Sequence, residues 1–260
     1  MTRLSLGVQT FQPTYLKFLG RGHDRVQALK AFALSRKAGF KNLSLDLMFG
    51  FPGQTKEELE SDLIELIQMK SEHVSLYTLT IEPNSRFHAQ KVLLDDEAKL
   101  GQFYTQVVET LGAAGIEQYE VSNFSRPGFA SRHNRHYWLG GEYIGLGVGA
   151  HSHRDGKRSW NVSSLPLYFQ KLKESDSAVD GCEALSLETQ FMERVLFGLR
   201  MNEGIDVDGI QNQMGLQMSS EKRALLHQWT SDGLLVSEGS RFQTTLQGRL
   251  VLDELSARLI

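Results

Sequence analysis

The chain has 260 residues, 40% of them hydrophobic and 23% charged, with a formal net charge of −3. That composition is ordinary for a globular protein and gives no reason to expect nucleic acid or an acidic membrane surface as a partner; no apolar run is long enough for a transmembrane segment. The single cysteine, Cys182, excludes an internal disulfide framework and any thiolate-ligated cluster built from this chain alone. With no signal peptide at the amino end, it fits a reducing cytoplasm.

Strand and helix signals alternate through the first 125 residues. RLSLGVQ (Arg3–Gln9) reads as a strand, and a helical stretch from about Asp24 to Ala38 is stopped by Gly39. NLSLDLM (Asn42–Met48) is the second strand. The loop FGFPGQT then leads into a helix in which Thr55 and Glu58 have capping-box spacing and Leu59, Leu63, Ile64, Leu66 and Ile67 form the apolar stripe. HVSLYTLTI (His73–Ile81) is the third strand, Asp95 to Ala114 the next helix, and EQYEVSNF (Glu117–Phe124) a fourth strand. Such alternation with short loops predicts parallel βα units. Within the strands, Leu4, Leu6 and Val8 oppose Ser5, Gly7 and Gln9, and Leu43, Leu45 and Leu47 oppose Ser44, Asp46 and Met48. One greasy and one small, polar face per strand fits a barrel-like lumen for a polar ligand better than a sheet covered on both sides.

After Ser131 the periodicity gives way to SRHNRHYWLGGEYIGLGVGAHSH, which holds half of the chain's histidines, and PLYFQKLK then reads as a short helix. From about Ser186 the chain turns helical again through SLETQFMERVLFGLR, DVDGIQNQMG and SEKRALLHQWTSDG; LLVSE and RFQTT flank a Gly-Ser turn, and a last helix starts at Leu246. Helices followed by a hairpin predict a winged-helix-like module. From Glu183 onward it carries 7 Lys and Arg against 11 Asp and Glu, a local charge of −4, which is the wrong sign for phosphate contacts. The module reads as structural or protein-contacting.

Candidate chemistry falls in two places. Gln9 ends the first strand, Arg21 precedes a helix, and Asp46 stands in an apolar strand, where a carboxylate is costly unless partnered. A ligand with hydroxyls and a carboxylate would suit them; mutual satisfaction of Asp46 and Arg21, or bonds to the backbone, would explain them equally. FGFPGQT reads as a tight turn and lacks the P-loop lysine. In the second place, His133, His136, His151 and His153 are possible metal ligands, with no cysteine or carboxylate cluster beside them to suggest zinc. An iron porphyrin would use the histidines, aromatics and arginines together, whereas a solvated surface loop would need none of them. Gly145, Gly147 and Gly149 alternate in a way that lets a backbone or a flat ligand approach closely.

Taken together, RLSLGVQTF, LGRGHD, NLSLDLMFGFPGQT, LYTLTIEPNS, QYEVSNFSRPG and HNRHYWLGGEYIGLGVGAHS resemble the radical S-adenosylmethionine proteins related to oxygen-independent coproporphyrinogen III oxidase. They are more similar still to the haem chaperone branch, HemW. The resemblance runs from Arg3 to about His151, and TTLQGRLVLDEL fits the same branch. It implies an α/β fold: the carboxyl-terminal half of a radical-SAM-type (βα) barrel in residues 1–130, a His/Gly/aromatic connecting segment in 131–180, and a small α+β winged-helix-like domain in 181–260. It assigns Gln9, Arg21, Asp46 and, at the end of the third strand, Thr80 to S-adenosylmethionine. It assigns His133, Asn134, Tyr137 and Trp138 to haem, with His133 on the iron. The CxxxCxxC loop, the glycine-rich S-adenosylmethionine loop and the glutamate-bearing strand of the family do not occur in the sequence. At about 30 residues for each βα unit, three such units would be lacking. The expectation is a HemW-like cytoplasmic haem-binding protein, truncated at its amino end and without catalysis of its own. The family's [4Fe–4S] cluster is not ligatable by this chain alone, and the partners implied are haem and an unidentified haem acceptor, not nucleic acid. The alternatives are a coproporphyrinogen III oxidase-like enzyme whose cluster half is missing or supplied in trans, and a non-catalytic scaffold.

Overall fold

Residues 2–259 are described by a computed structural model, in which the chain forms two compact units, Met1–Ser131 and Arg132–Ile260. The first unit runs β1 (Leu4–Gln9), α1 (Pro13–Leu19), α2 (Arg25–Lys37), β2 (Leu43–Phe49), α3 (Lys56–Met69), β3 (His73–Thr78), α4 (Arg86–Ala89), α5 (Glu97–Ala113), β4 (Glu117–Glu120) and β5 (Asn123–Ser125). Its five-stranded sheet has the order β1-β2-β3-β5-β4, with β1, β2 and β3 parallel and β5 antiparallel to β3.

Register turns the alternation in each strand into ladders across the sheet. Leu6, Leu45, Val74 and Phe124 lie side by side on one face. They join a core with Phe32 of α2, Leu59, Leu63 and Leu66 of α3, and Phe103, Val107 and Leu111 of α5. Burying each such side chain contributes about 1.5–3 kcal/mol, so this face holds the unit together. The other face carries Gly7, Asp46, Ser75, Asn123 and Glu120 in one rank and Ser5, Ser44, His73 and Ser125 in the next. The polar face is buried around His73, Ser75 and Asn123 and exposed at Ser5 and Gly7. Helix starts follow the expected chemistry: Thr55 and Glu58 form a capping box, as do Asp24 and Gln27.

Two expectations change. The fourth strand is a hairpin: the chain reverses after Glu120, whose carboxylate accepts from the Ser122 amide at 3.0 Å, and β5 lies between β3 and β4. Thr80 is not in a strand, because β3 ends at Thr78 and Leu79 turns away to donate its amide to Phe49 O at 2.8 Å.

The second unit contains α6 (Arg132–Trp138), β6 (His151–Arg154), β7 (Lys157–Asn161), α7 (Leu165–Ser175) and β8 (Val179–Ala184), the three strands forming an antiparallel sheet. It continues with α8 (Leu187–Arg200), β9 (Ile205–Asp206), α9 (Val207–Met214), α10 (Ser220–Ser231), β10 (Leu235–Glu238), β11 (Arg241–Thr244), α11 (Leu246–Leu250) and α12 (Leu252–Leu259). The sheet β10-β11-β9 packed with α8, α9 and α10 has the winged-helix arrangement. Ser186, Asp206, Ser219 and Thr245 each cap the helix that follows, and Phe191, Val195 and Leu199 place one buried stripe along α8. Among the described residues no helix is long and apolar enough to cross a membrane.

Candidate functional site

The carboxyl end of β1 is set by a buried carboxylate. Asp62 of α3 accepts from Thr10 Oγ1 at 2.5 Å, from the Phe11 amide at 3.1 Å and from Gln12 Nε2 at 3.2 Å. Burial outweighs these bonds and pushes its pKa up to about 6. The sequence reading passed over Asp62, although a lone acid between Leu59 and Leu63 in an apolar stripe was the signal available. Directly before this anchor the register slips between Gly7 and Gln9, and Gln9 adopts a left-handed φ of 68°. A non-glycine residue held there stores backbone strain, a feature concentrated at ligand sites.

Three of the four residues assigned to S-adenosylmethionine gather around that bulge. A Cβ added to Gly7 would lie 2.9 Å from Gln9 Nε2 and 3.4 Å from Arg21 Nη2, so the amide and the guanidinium both reach over this glycine. Asp46 is its register neighbour on β2. The Asp46 carboxylate accepts from Ser5 Oγ at 2.8 and 2.9 Å, and no ion pair joins it to Arg21 among the described residues. Asp46 therefore does not draw on Arg21: its carboxylate keeps acceptor capacity beyond the Ser5 hydroxyl, and the guanidinium is left available to an anion. His23 Nε2, donating to Val8 O at 3.2 Å, ties the loop that carries Arg21 down onto β1. Thr80 is exposed beyond β3, and no hydrogen bond joins it to the other three among the described residues. The arrangement offers donors for a carboxylate and acceptors for hydroxyls at the parallel strand ends, where α/β folds bind ligands. FGFPGQT is closed to phosphate: Gln54 Oε1 already accepts from the Gly50 amide at 2.7 Å and the Phe51 amide at 3.3 Å.

Deeper on the polar face lies a chain missed in the sequence. His73 Nδ1 is 2.8 Å from Ser44 Oγ, and its Nε2 is 2.9 Å from Tyr119 Oη. Burial, with Arg3 nearby, pushes the His73 pKa down to about 3, so the imidazole is neutral.

In the second unit the residues assigned to haem lie on a helix, α6, and not in a loop. Helical spacing stacks His133 over Tyr137 and Asn134 over Trp138. His133 is exposed, its ring 4.9 Å from that of Tyr137, which in turn meets Tyr143 at 4.6 Å. The Trp138 ring packs 5.8 Å from Phe197 and has the Arg200 guanidinium 4.4 Å above it. Of the other histidines, His136 donates from Nε2 to Glu142 O at 2.6 Å, which closes the turn after α6 and fixes its tautomer. His151 lies exposed beside Trp160 at 6.1 Å, and His153 sits 6.1 Å from Tyr143. The glycine alternation serves backbone contact at Gly145, where a Cβ would fall 2.1 Å from His151 O. It also leaves Ile144 and Leu146 facing solvent, 66% and 88% exposed.

The residues present fit some of the family's groups and not others. The Gly7 cradle with Gln9 and Arg21 fits a nucleoside bearing a carboxylate, and the exposed imidazole of His133 beside edge-on aromatics fits an iron porphyrin. One cysteine does not fit an iron–sulfur cluster, and no three His, Cys, Asp or Glu side chains converge on a metal position among the described residues.

Residues 1–66 match the radical SAM superfamily and residues 185–251 the HemN C-terminal domain. The chain is 33% identical over 259 residues to the heme chaperone HemW of Bacillus subtilis, covering 98% of this chain and 68% of that one. It is 42% identical over 151 residues to HemW of Escherichia coli, covering 58% and 40%. It is 32% identical over 270 residues to the mitochondrial radical S-adenosyl methionine domain-containing protein 1 of Danio rerio, covering 98% and 61%. Its fold superposes on coproporphyrinogen III oxidase (HemN) of Escherichia coli with a TM-score of 0.85 at 22% identity, over 100% of this chain and 64% of the other. The chain thus spans about two thirds of the length of such relatives. On this evidence it belongs to the HemW heme chaperone family of radical S-adenosylmethionine proteins.

Proposed function

We propose that the chain binds haem as cargo on the α6 segment and passes it to an acceptor protein, as the names of its relatives suggest. His133 is the iron ligand, Tyr137 and Trp138 carry the ring, and Asn134 supports the same surface. The observation that carries this reading is the exposed His133 imidazole, which makes no hydrogen bond among the described residues and stands beside Tyr137 on α6. Gln9, Arg21 and Asp46 hold S-adenosylmethionine: Arg21 clamps its carboxylate and the Asp46 carboxylate accepts from its hydroxyls. Thr80 is at most a peripheral contact. The radical chemistry of S-adenosylmethionine needs an electron from a cluster, and this chain's one thiolate cannot hold one by itself. The chain acting alone therefore binds and transfers without turnover.

Transfer is tested by mixing the haem-loaded chain with a tagged apo-haemoprotein, separating the two, and following haem by absorbance. Passage of haem to the acceptor faster than it leaves into buffer supports the chaperone reading. Release at the same rate with and without acceptor contradicts it. Decarboxylation of coproporphyrinogen after addition of a cluster-loaded partner would favour the oxidase alternative.

A further inference from the structure

Beneath Trp138 the second unit encloses a cavity of about 170 Å³ between α6, the turn that follows it, the β6–β7 hairpin and α8. Pockets that hold drug-sized ligands run to about 300–1,000 Å³, so this one is too small for a tetrapyrrole and suited to a short arm of a ligand. Two of its lining side chains bury a polar atom without a partner, Trp138 Nε1 and His153 Nε2. The indole N–H can only donate; Trp229 Nε1 also lacks a partner but lies in the packed core, whereas Trp138 Nε1 and His153 Nε2 line one cavity, and it is this pairing that points to a ligand. Charge narrows the choice. Of the lining arginines, Arg158 is paired with Glu193 at 2.6 Å and Glu183 at 3.6 Å, whereas Arg194, among the described residues, makes no ion pair and donates to the neutral Gln213 Oε1 at 3.1 Å. The remaining acid, Glu142, is exposed, and one of its oxygens accepts from the Asp155 amide at 2.7 Å. Donors and one uncompensated cation therefore face the same small space.

We propose that this cavity binds a carboxylate, with Trp138 Nε1 and His153 Nε2 donating to its oxygens and Arg194 supplying the charge. Resting on the haem reading of α6, the carboxylate is a haem propionate, anchored below the ring while His133 meets the iron. Neither Arg194 nor His153 belongs to the α6 motif. Their role is to orient the cargo.

The test titrates the full chain with haem and with haem dimethyl ester, whose propionates carry no charge, beside Arg194→Gln. Because charge-assisted bonds are the strong ones, haem should bind about tenfold more tightly than the ester, and Arg194→Gln should remove that preference while leaving ester affinity unchanged. In parallel, sodium propionate is added to ¹⁵N-labelled unmodified protein, with the Trp138 indole resonance assigned through Trp138→Phe. A saturable shift of that resonance, lost in Arg194→Gln, supports the carboxylate site. Equal affinity for haem and ester with an unmoved indole overturns the proposal while leaving the α6 platform intact. Absence of haem binding together with a propionate-shifted indole would defeat the platform and keep the cavity as a carboxylate site.

Discussion

A methyl group added at Gly7 would stand 2.9 Å from the Gln9 amide nitrogen, the end of a flexible side chain, and 3.4 Å from an Arg21 guanidinium nitrogen. Gly7→Ala is therefore expected to leave the melting temperature nearly unchanged and to weaken S-adenosylmethionine binding severalfold by calorimetry. An unchanged affinity would show that the ligand does not use this cradle. Two buried groups set opposing pH dependences on the same unit. The His73 pKa falls from 6.5 to about 3 on folding, so the unfolded chain takes up a proton that the folded one refuses, and stability declines as pH drops below 6.5. The Asp62 pKa rises from 3.8 to about 6, so its contribution is present below 3.8 and lost as pH rises through about 6. Urea unfolding between pH 4 and 6.5 should show a steeper gain of stability with pH in Asp62→Asn than in the parent. The slope should be shallower in His73→Gln. Parallel curves for all three proteins would contradict both assignments.

At the scale of elements, the sheet and its helices stand on the apolar ladder. Leu45 is fully buried between Leu6 and Val74, and Leu45→Ala should cost about 2–5 kcal/mol in chemical denaturation, as large-to-small changes in packed cores do. A loss well below that range would mean that the core relaxes around the gap. Strands β1 and β2 were legible because each alternates, and α3 because its cap and stripe agree. The winged module was legible from its run of helices followed by two strands around a Gly-Ser turn. The β4–β5 reversal was not, since EQYEVSNF carries no glycine or proline at the turn and the chain is turned by the Glu120 carboxylate. Strands β6 to β8 escaped notice because HSHR, KRSWN and VDGCEA bury little and pair mainly through their backbones. Helix α6 was hidden by its histidines and aromatics, which have middling helix propensity, in a run of only seven residues. Of the candidate site, Gln9, Arg21, Asp46 and the four histidines near α6 could be picked out from the pattern, while Asp62 and His73 needed the contacts that only folding brings.

For the whole molecule, charge and cysteine content bound what the chain does more tightly than any one motif. The acidic winged module argues against phosphate-backbone binding, and one thiolate argues against a cluster held by this chain alone. Within those bounds, the reading we propose is a haem carrier with a nucleoside site in its first unit. The most direct measurement is a haem titration of the purified chain, followed by Soret absorbance, beside His133→Ala. A saturable, shifted Soret band that weakens about tenfold or more in the variant, the loss of about 1.4 kcal/mol expected when an iron ligand is removed, is the predicted result. Non-saturable uptake, or identical curves for the two proteins, would contradict it.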